Sequence, residues 1–236
     1  MPEQTPRTLN HFALFKFNAA ACSGLTPEAR QKFHADWLAG LRQAAGRSEG
    51  AANVDVYQVY PAETGADLLV WSALEAESPA TAAGFFERFA RATNPYRHLV
   101  EAVHNLWGFT RPSQYTKTRS TQEIDPFAGQ RKPYLIVYPF VKTVEWYLLS
   151  REARQGMMNE HIKVGKQYPE ITQLLLYSFG LQNQEFVVIY ETDDLAHFSD
   201  LVYELRDTEA RRYTQRDTPL YAAIHHPAEE TLALWE

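Results

Sequence analysis

The chain has 236 residues, 45% of them hydrophobic and 22% charged, which is enough apolar material to bury a core in one large domain or two ordinary ones. A formal net charge of −6 removes the electrostatic case for nucleic-acid binding, and a single cysteine, Cys22, excludes intramolecular disulfides, cysteine-based zinc sites and iron–sulfur clusters. The N-terminus lacks the apolar run of a signal peptide and no segment approaches a membrane span, so the expectation is a cytoplasmic protein without membrane insertion.

Residues 1–8 are polar and proline-containing and read as a frayed arm. His11 to Phe17 reads as a strand. Thr26-Pro27-Glu28 starts a helix, with Thr26 as N-cap and Pro27 in the first turn, running to about Arg42. Val54–Tyr60 and Leu68–Ala73 are expected strands around a turn at Glu63-Thr64-Gly65. A helix follows Ser78-Pro79 with Phe85, Phe86 and Phe89 inward, a second helical segment covers Tyr96–Val103, and Asn105–Thr110 is a short strand. Residues 111–132 are polar and form a linker, of a length usually functional or mobile.

The second half repeats the first. Tyr134–Phe140 is a strand, Ser150 opens a helix to about Lys166, and Leu174–Ser178 and Glu185–Tyr190 are strands around a turn at Gly180–Asn183. Asp193 or Asp194 caps a further helix, and Leu220–Ile224 closes as a strand. LTPEAR at 25–30 matches LSREAR at 149–154, and GADLLVW at 65–71 matches NQEFVVIY at 183–190. Such repetition predicts an α+β fold: duplicated ferredoxin-like βαββαβ units closed into one dimeric α+β barrel within the chain. The expected division is 1–110, a linker and pocket loop at 111–132, and a C-terminal half at 133–236.

Ala153, Met157, His161 and Val164 recur at helical spacing, so a lone histidine lies in an apolar stripe. Such a histidine is more often a hydrogen-bonded core residue than a ligand, yet a neutral imidazole beside an apolar wall also suits haem iron. The repeat supplies a control: 161 − 37 = 124, so Trp37 stands opposite His161 and only the second half carries the histidine. Tyr138 and Lys142 end the half's first strand, where the ordinary alternatives are a satisfied core tyrosine and a solvated lysine. His225 and His226 look exposed, and in a strand or loop such neighbours point apart.

YPFVKTVEWYLLSREARQGMMNEHIKVGKQYP at 138–169, with YSFGLQNQEFVVIYE at 177–191 and RDTP at 216–219, resembles the chlorite dismutase-like family, most closely its coproheme decarboxylase branch. The match is strongest over about 133–224. The resemblance implies His161 as the proximal haem ligand and Glu209 as the carboxylate hydrogen-bonded to it, fixing its tautomer. It places Gln173 at the distal position, where chlorite dismutases look to need an arginine to hold an oxyanion. It implies Tyr138 as a radical-forming tyrosine, Lys142 beside the propionates and Trp146 as a pocket aromatic. Arg111, Gln114, Tyr115, Arg119 and Arg131 are further candidates to hold porphyrin carboxylates. The implied activity is hydrogen peroxide-dependent oxidative decarboxylation of two propionates of iron coproporphyrin III, giving haem b, in a homopentamer. A chlorite dismutase or peroxidase, disfavoured by Gln173, and a non-catalytic haem carrier or sensor are the alternatives.

Overall fold

The structure is a computed structural model, and it describes residues 7–46, 50–76, 78–116 and 120–235. The expected arm at 1–8 falls mostly outside these residues, and Arg119 does so entirely.

Before the linker run β1 (Thr8–Phe17), α1 (Ala19–Ser23), α2 (Pro27–Gly46), β2 (Ala52–Gln58), β3 (Leu68–Glu75), α3 (Thr81–Thr93) and β4 (Val100–Thr110). After it run β5 (Tyr134–Lys142), α4 (Val144–Leu148), α5 (Arg151–Gly165), β6 (Thr172–Tyr177), β7 (Phe186–Thr192), α6 (Leu195–Arg206), β8 (Thr214–Arg216), β9 (Tyr221–His225) and α7 (Ala228–Ala233). The sheet order is β7-β6-β4-β1-β3-β2-β9-β5-β8, and an additional β7–β5 pairing closes it into a barrel, as expected. Closure leaves eight of the strands without a free edge, the liability that antiparallel sheets otherwise carry. The halves join at two seams, β4 with β6 and β2 with β9.

Strand alternation divides the apolar residues among three cores. The barrel interior takes Phe12, Leu14, Tyr57, Trp71, Leu106, Leu135, Val137, Leu174, Leu176 and Ile189, from both halves. The outer face of the first half packs Phe15, Phe17, Val70 and Leu74 under Trp37, Leu41, Phe85 and Phe89 of α2 and α3. The outer face of the second half carries Ile136, Val188 and Tyr190, covered by Phe198 and Leu201 of α6.

Local signals set several boundaries. Ser150 Oγ accepts the N–H of Ala153 and caps α5, and Asp194 Oδ1 accepts from Ala196 and His197 and caps α6. Gly180 takes a left-handed φ of 69° in the β6–β7 turn. The expected helix at 96–103 is corrected: a 3-10 turn covers Asn94–Tyr96, and Val100 to Ala102 pair in antiparallel register with Phe17 to Phe15 of β1. Long-range pairing overrides a helical pattern that short. His225 and His226 are likewise half-buried rather than exposed, with His225 against the Tyr57 ring and His226 Nε2 at 3.2 Å from Gln58 Oε1.

Gly108 lies at the β4–β6 seam, where a Cβ would meet Ser178 Oγ at 2.6 Å and the Tyr177 carbonyl at 2.8 Å. Gly108→Ala is expected to cost on the order of 1–3 kcal/mol, the usual penalty of overpacking. A thermal midpoint unchanged by this substitution would contradict the seam geometry.

His11 is buried against Phe85, Phe86 and Phe89, with ring centroids at 5.4, 5.7 and 4.8 Å. Burial pulls its pKa down to about 4 from 6.5, partly countered by a hydrogen bond with Asn105. A group whose pKa is depressed on folding contributes fully above its unfolded value and loses that contribution as pH falls through 6.5 toward 4. The expected loss over that window is on the order of 3 kcal/mol. Urea unfolding at stepped pH should show it, and His11→Leu should flatten the slope; an identical slope in the variant would remove His11 as the cause.

Candidate functional site

The two halves differ most where the repeat sets Trp37 opposite His161. α2 lies directly on its sheet and buries Phe33, His34, Trp37, Leu38, Leu41, Ala44 and Ala45. α5, its counterpart, has no fully buried residue. Its contacts run mainly to α6 and to the 3-10 turn Glu209–Tyr213 rather than to the strands behind it. The apolar stripe predicted on this helix is therefore only partly covered: Ala153 is exposed and Met157, His161 and Val164 are half-buried. A helix that keeps an apolar face uncovered beside an aromatic sheet face defines a slot suited to a flat ligand.

The sheet wall of the slot is the outer face of β5, β6 and β7. Tyr138 and Phe140 project from β5, Gln173, Leu175 and Tyr177 from β6, and Phe186, Val188 and Tyr190 from β7. Phe140 stacks on Phe186 at 4.5 Å, and Tyr138 lies 6.3 Å from Tyr190 with the rings nearly parallel at 25°. Burial, and then Tyr190, raise the Tyr138 pKa well above the usual phenol value, so its hydroxyl stays protonated at any working pH. Gln173 is exposed, and its backbone is tied to the linker by Gln173 N to Gln122 O at 2.7 Å and Ile124 N to Gln173 O at 3.0 Å. Gln122 also caps the end of α5, its Nε2 donating to the carbonyls of Gly165, Tyr168 and Ile171 at 3.2, 2.9 and 3.1 Å.

On the helix wall, burial and the nearby Lys142 ammonium pull the His161 pKa down to about 4, partly offset by Glu160. The imidazole is therefore neutral at pH 7, the form that ligates a metal. Lys142 itself is lowered to about 8 by burial and by Arg211. Its ammonium lies 4.6 Å over the ring of buried Trp146 and donates to the Ala210 carbonyl at 3.3 Å and Thr214 Oγ1 at 3.4 Å. At the other end of α5, Ser113, Gln114, Tyr115 and Thr116 of the linker face Arg151 and Gln155 across a cleft of about 660 Å³. Arg111 covers the Tyr177 ring at 5.4 Å beside it.

The structure thus brings His161, Lys142 and Trp146 together, sets Tyr138 and Gln173 on one sheet face, and places Gln114 and Tyr115 at the cleft. Two residues differ from expectation. Arg131 is turned into the barrel end, on the opposite side of the sheet: it pairs with Asp55 at 2.8 Å and Glu191 at 3.6 Å, stacks 4.5 Å over Trp71, and donates to the Asp125 and Pro126 carbonyls. Its donors are occupied in holding the linker to the barrel, so it does not reach the slot. Glu209 sends its carboxylate toward Arg212 Nε at 3.5 Å, while its backbone N–H donates to Glu160 Oε2 at 3.0 Å. Among the described residues no hydrogen bond joins it to His161, and Glu160 supplies the carboxylate nearest in effect to that imidazole.

The family model for chlorite dismutase matches residues 30–226. The chain belongs to the chlorite dismutase family. Among curated relatives of this family member, the coproheme decarboxylase of Mycolicibacterium smegmatis is 29% identical over 180 residues, 75% of each chain. The coproheme decarboxylase of Staphylococcus saprophyticus is 32% identical over 131 residues, 53% of this chain and 52% of the relative. A solved mutant chlorite dismutase from Candidatus Nitrospira defluvii superposes with a TM-score of 0.81 at 26% identity, covering 97% of this chain and 95% of that one. A solved putative chlorite dismutase shares the fold at a TM-score of 0.80 and 22% identity, covering 97% and 99%. Among the described residues no helix of this family member is long and apolar enough to cross a membrane.

Sequence reasoning passed over Arg154, Tyr190 and the Arg206–Asp217–Arg211 cluster, in which Asp217 Oδ2 accepts from both arginines at 2.7 and 2.8 Å. For Arg154 a signal was present, since it precedes His161 by two helical turns and shares its face.

Proposed function

We propose that the protein is a peroxide-dependent coproheme decarboxylase that binds iron coproporphyrin III in the slot between α5 and the β5–β6–β7 face and converts two propionates to vinyl groups. The observation that carries this reading is the partly covered α5 face, which bears a neutral imidazole, beside a sheet face that bears a protonated phenol. The residues present fit the group: His161 for the iron, aromatic and aliphatic side chains for the macrocycle, and Lys142 for a carboxylate.

Bound haem supplies the peroxide-driven oxidising power. Tyr138 supplies an O–H that can be given up as a hydrogen atom, and the resulting phenoxyl can take one back from a propionate β-carbon. Overall, each propionate with one hydrogen peroxide and one proton yields a vinyl group, carbon dioxide and two waters. Lys142 holds the reacting carboxylate as a point charge; with its pKa already down at about 8, an incoming anion restores its full charge. Gln173 offers the distal side an amide without charge, which speaks against chlorite as substrate. A purely carrying role leaves the positioned phenol without a use.

The test is to add iron coproporphyrin III to the purified apoprotein, titrate hydrogen peroxide and follow product mass. Two successive losses of carbon dioxide with two hydrogens, ending at haem b, are expected. Binding without mass change would return the protein to a carrier or peroxidase. A cytoplasmic location and a homopentameric assembly accompany this reading on family resemblance, and light scattering at five times the protomer mass checks the second.

A further inference from the structure

Arg154 is a cation of α5 that the mechanism above leaves without a role. It stands on α5 seven residues before His161, so the two side chains share one face about 10 Å apart along the axis. That separation is comparable to the distance from the centre of a porphyrin to the carboxylates on its edge. Its Nε is buried, and among the described residues it has no hydrogen-bond partner, a costly state for a guanidinium donor. The phenols of Tyr115 and Tyr147 lie close enough to feel its charge. The neighbouring carboxylate, Glu185, is already engaged: it accepts from Tyr147 Oη at 2.6 Å and from the Lys142 N–H at 2.8 Å.

The cleft beside Arg154 continues the same chemistry. It is lined by donors and hydroxyls of residues 113–116 with Arg151 and Gln155, and among the described residues no acidic side chain contributes to it. Gln155 Nε2 fixes its floor by donating to the Tyr115 carbonyl at 3.1 Å and Asn159 Oδ1 at 2.8 Å. On a chain of net charge −6, a buried, unpartnered Arg154 Nε on the helix turn that carries Arg151 and Gln155 of this cleft wall marks a place for an anion.

We propose that Arg154, with Tyr115 beside it, anchors the porphyrin carboxylates that do not react, and so sets the preference of the slot for a carboxylated porphyrin. The inference rests on the porphyrin-binding reading, but it needs neither iron nor turnover. Lys142 then holds one carboxylate and Arg154 another, orienting the macrocycle between Tyr138 and His161.

The experiment is a fluorescence titration of metal-free coproporphyrin III, a tetracarboxylate, and of its neutral tetramethyl ester, into the parent chain, Arg154→Gln and Arg154→Lys, with circular dichroism confirming the fold of each. Arg154→Gln is expected to weaken the tetracarboxylate about ten- to a hundredfold, as expected for one charge-assisted hydrogen-bonding group, and to leave the ester unchanged. Arg154→Lys should fall between, since it keeps the charge and loses the fork; it decides the matter if Arg154→Gln does not fold. Parental affinity in both variants overturns the assignment while leaving the decarboxylase reading standing. So does a parent chain that binds acid and ester equally. A parent chain that binds neither porphyrin overturns both.

Discussion

Tyr138→Phe is expected to bind iron coproporphyrin III as tightly as the parent chain and to release carbon dioxide slower by on the order of a thousandfold, about 4 kcal/mol in barrier. The substitution removes one oxygen from a ring that keeps its near-parallel neighbour Tyr190 at 6.3 Å, so the sheet face is left in place. What it removes is the O–H that burial keeps protonated, and with it the hydrogen atom that the proposed chemistry exchanges. Single-turnover mass spectrometry after a fixed peroxide addition measures the effect without interference from binding. Decarboxylation at the parental rate would end the radical assignment for Tyr138, and Tyr190 would be the next phenol to test.

His161→Ala should cost the protein its discrimination between iron and metal-free porphyrin. The parent is expected to show the absorption spectrum of histidine-ligated iron and to bind the iron form more tightly; in the variant the two forms should bind alike. Folding should be nearly untouched, within about 1 kcal/mol, because α5 buries no residue fully and, among the described residues, His161 makes no hydrogen bond that others depend on. Contrast Trp37, which occupies the matching place on α2 and is buried: Trp37→Ala is expected to cost on the order of 3–5 kcal/mol in urea unfolding. Retention of a histidine-ligated spectrum in His161→Ala would remove it as the ligand. Loss of folding in that variant would return it to the core.

Much of this architecture was legible in the chain. Period-two and helical patterns, read twice, led to the duplicated barrel; Ser150 and Asp194 marked helix starts; and the helical stripe around His161 singled out the face on which the proposed site is built. These are properties of neighbouring residues, and backbone geometry alone converts them into structure. Where pairing at long range competes, the local pattern loses its authority. Val100 to Ala102 look helical and are strand because Phe17 to Phe15 of β1 pair with them.

Charged side chains were harder for a related reason. Arg131 and Arg154 look alike in the sequence, each a basic residue near a motif. One is held inside the barrel end by Asp55 and Glu191, and the other stands on α5 with its Nε buried and, among the described residues, unpartnered. Which carboxylate meets which cation depends on the side of the sheet to which each is carried. By itself, then, the sequence determined the repeat, the barrel and the histidine of the second half. Only the tertiary structure decided that α5 stands off its sheet where α2 lies down on it, because the space between a helix and a sheet is set by how side chains from distant strands fill it.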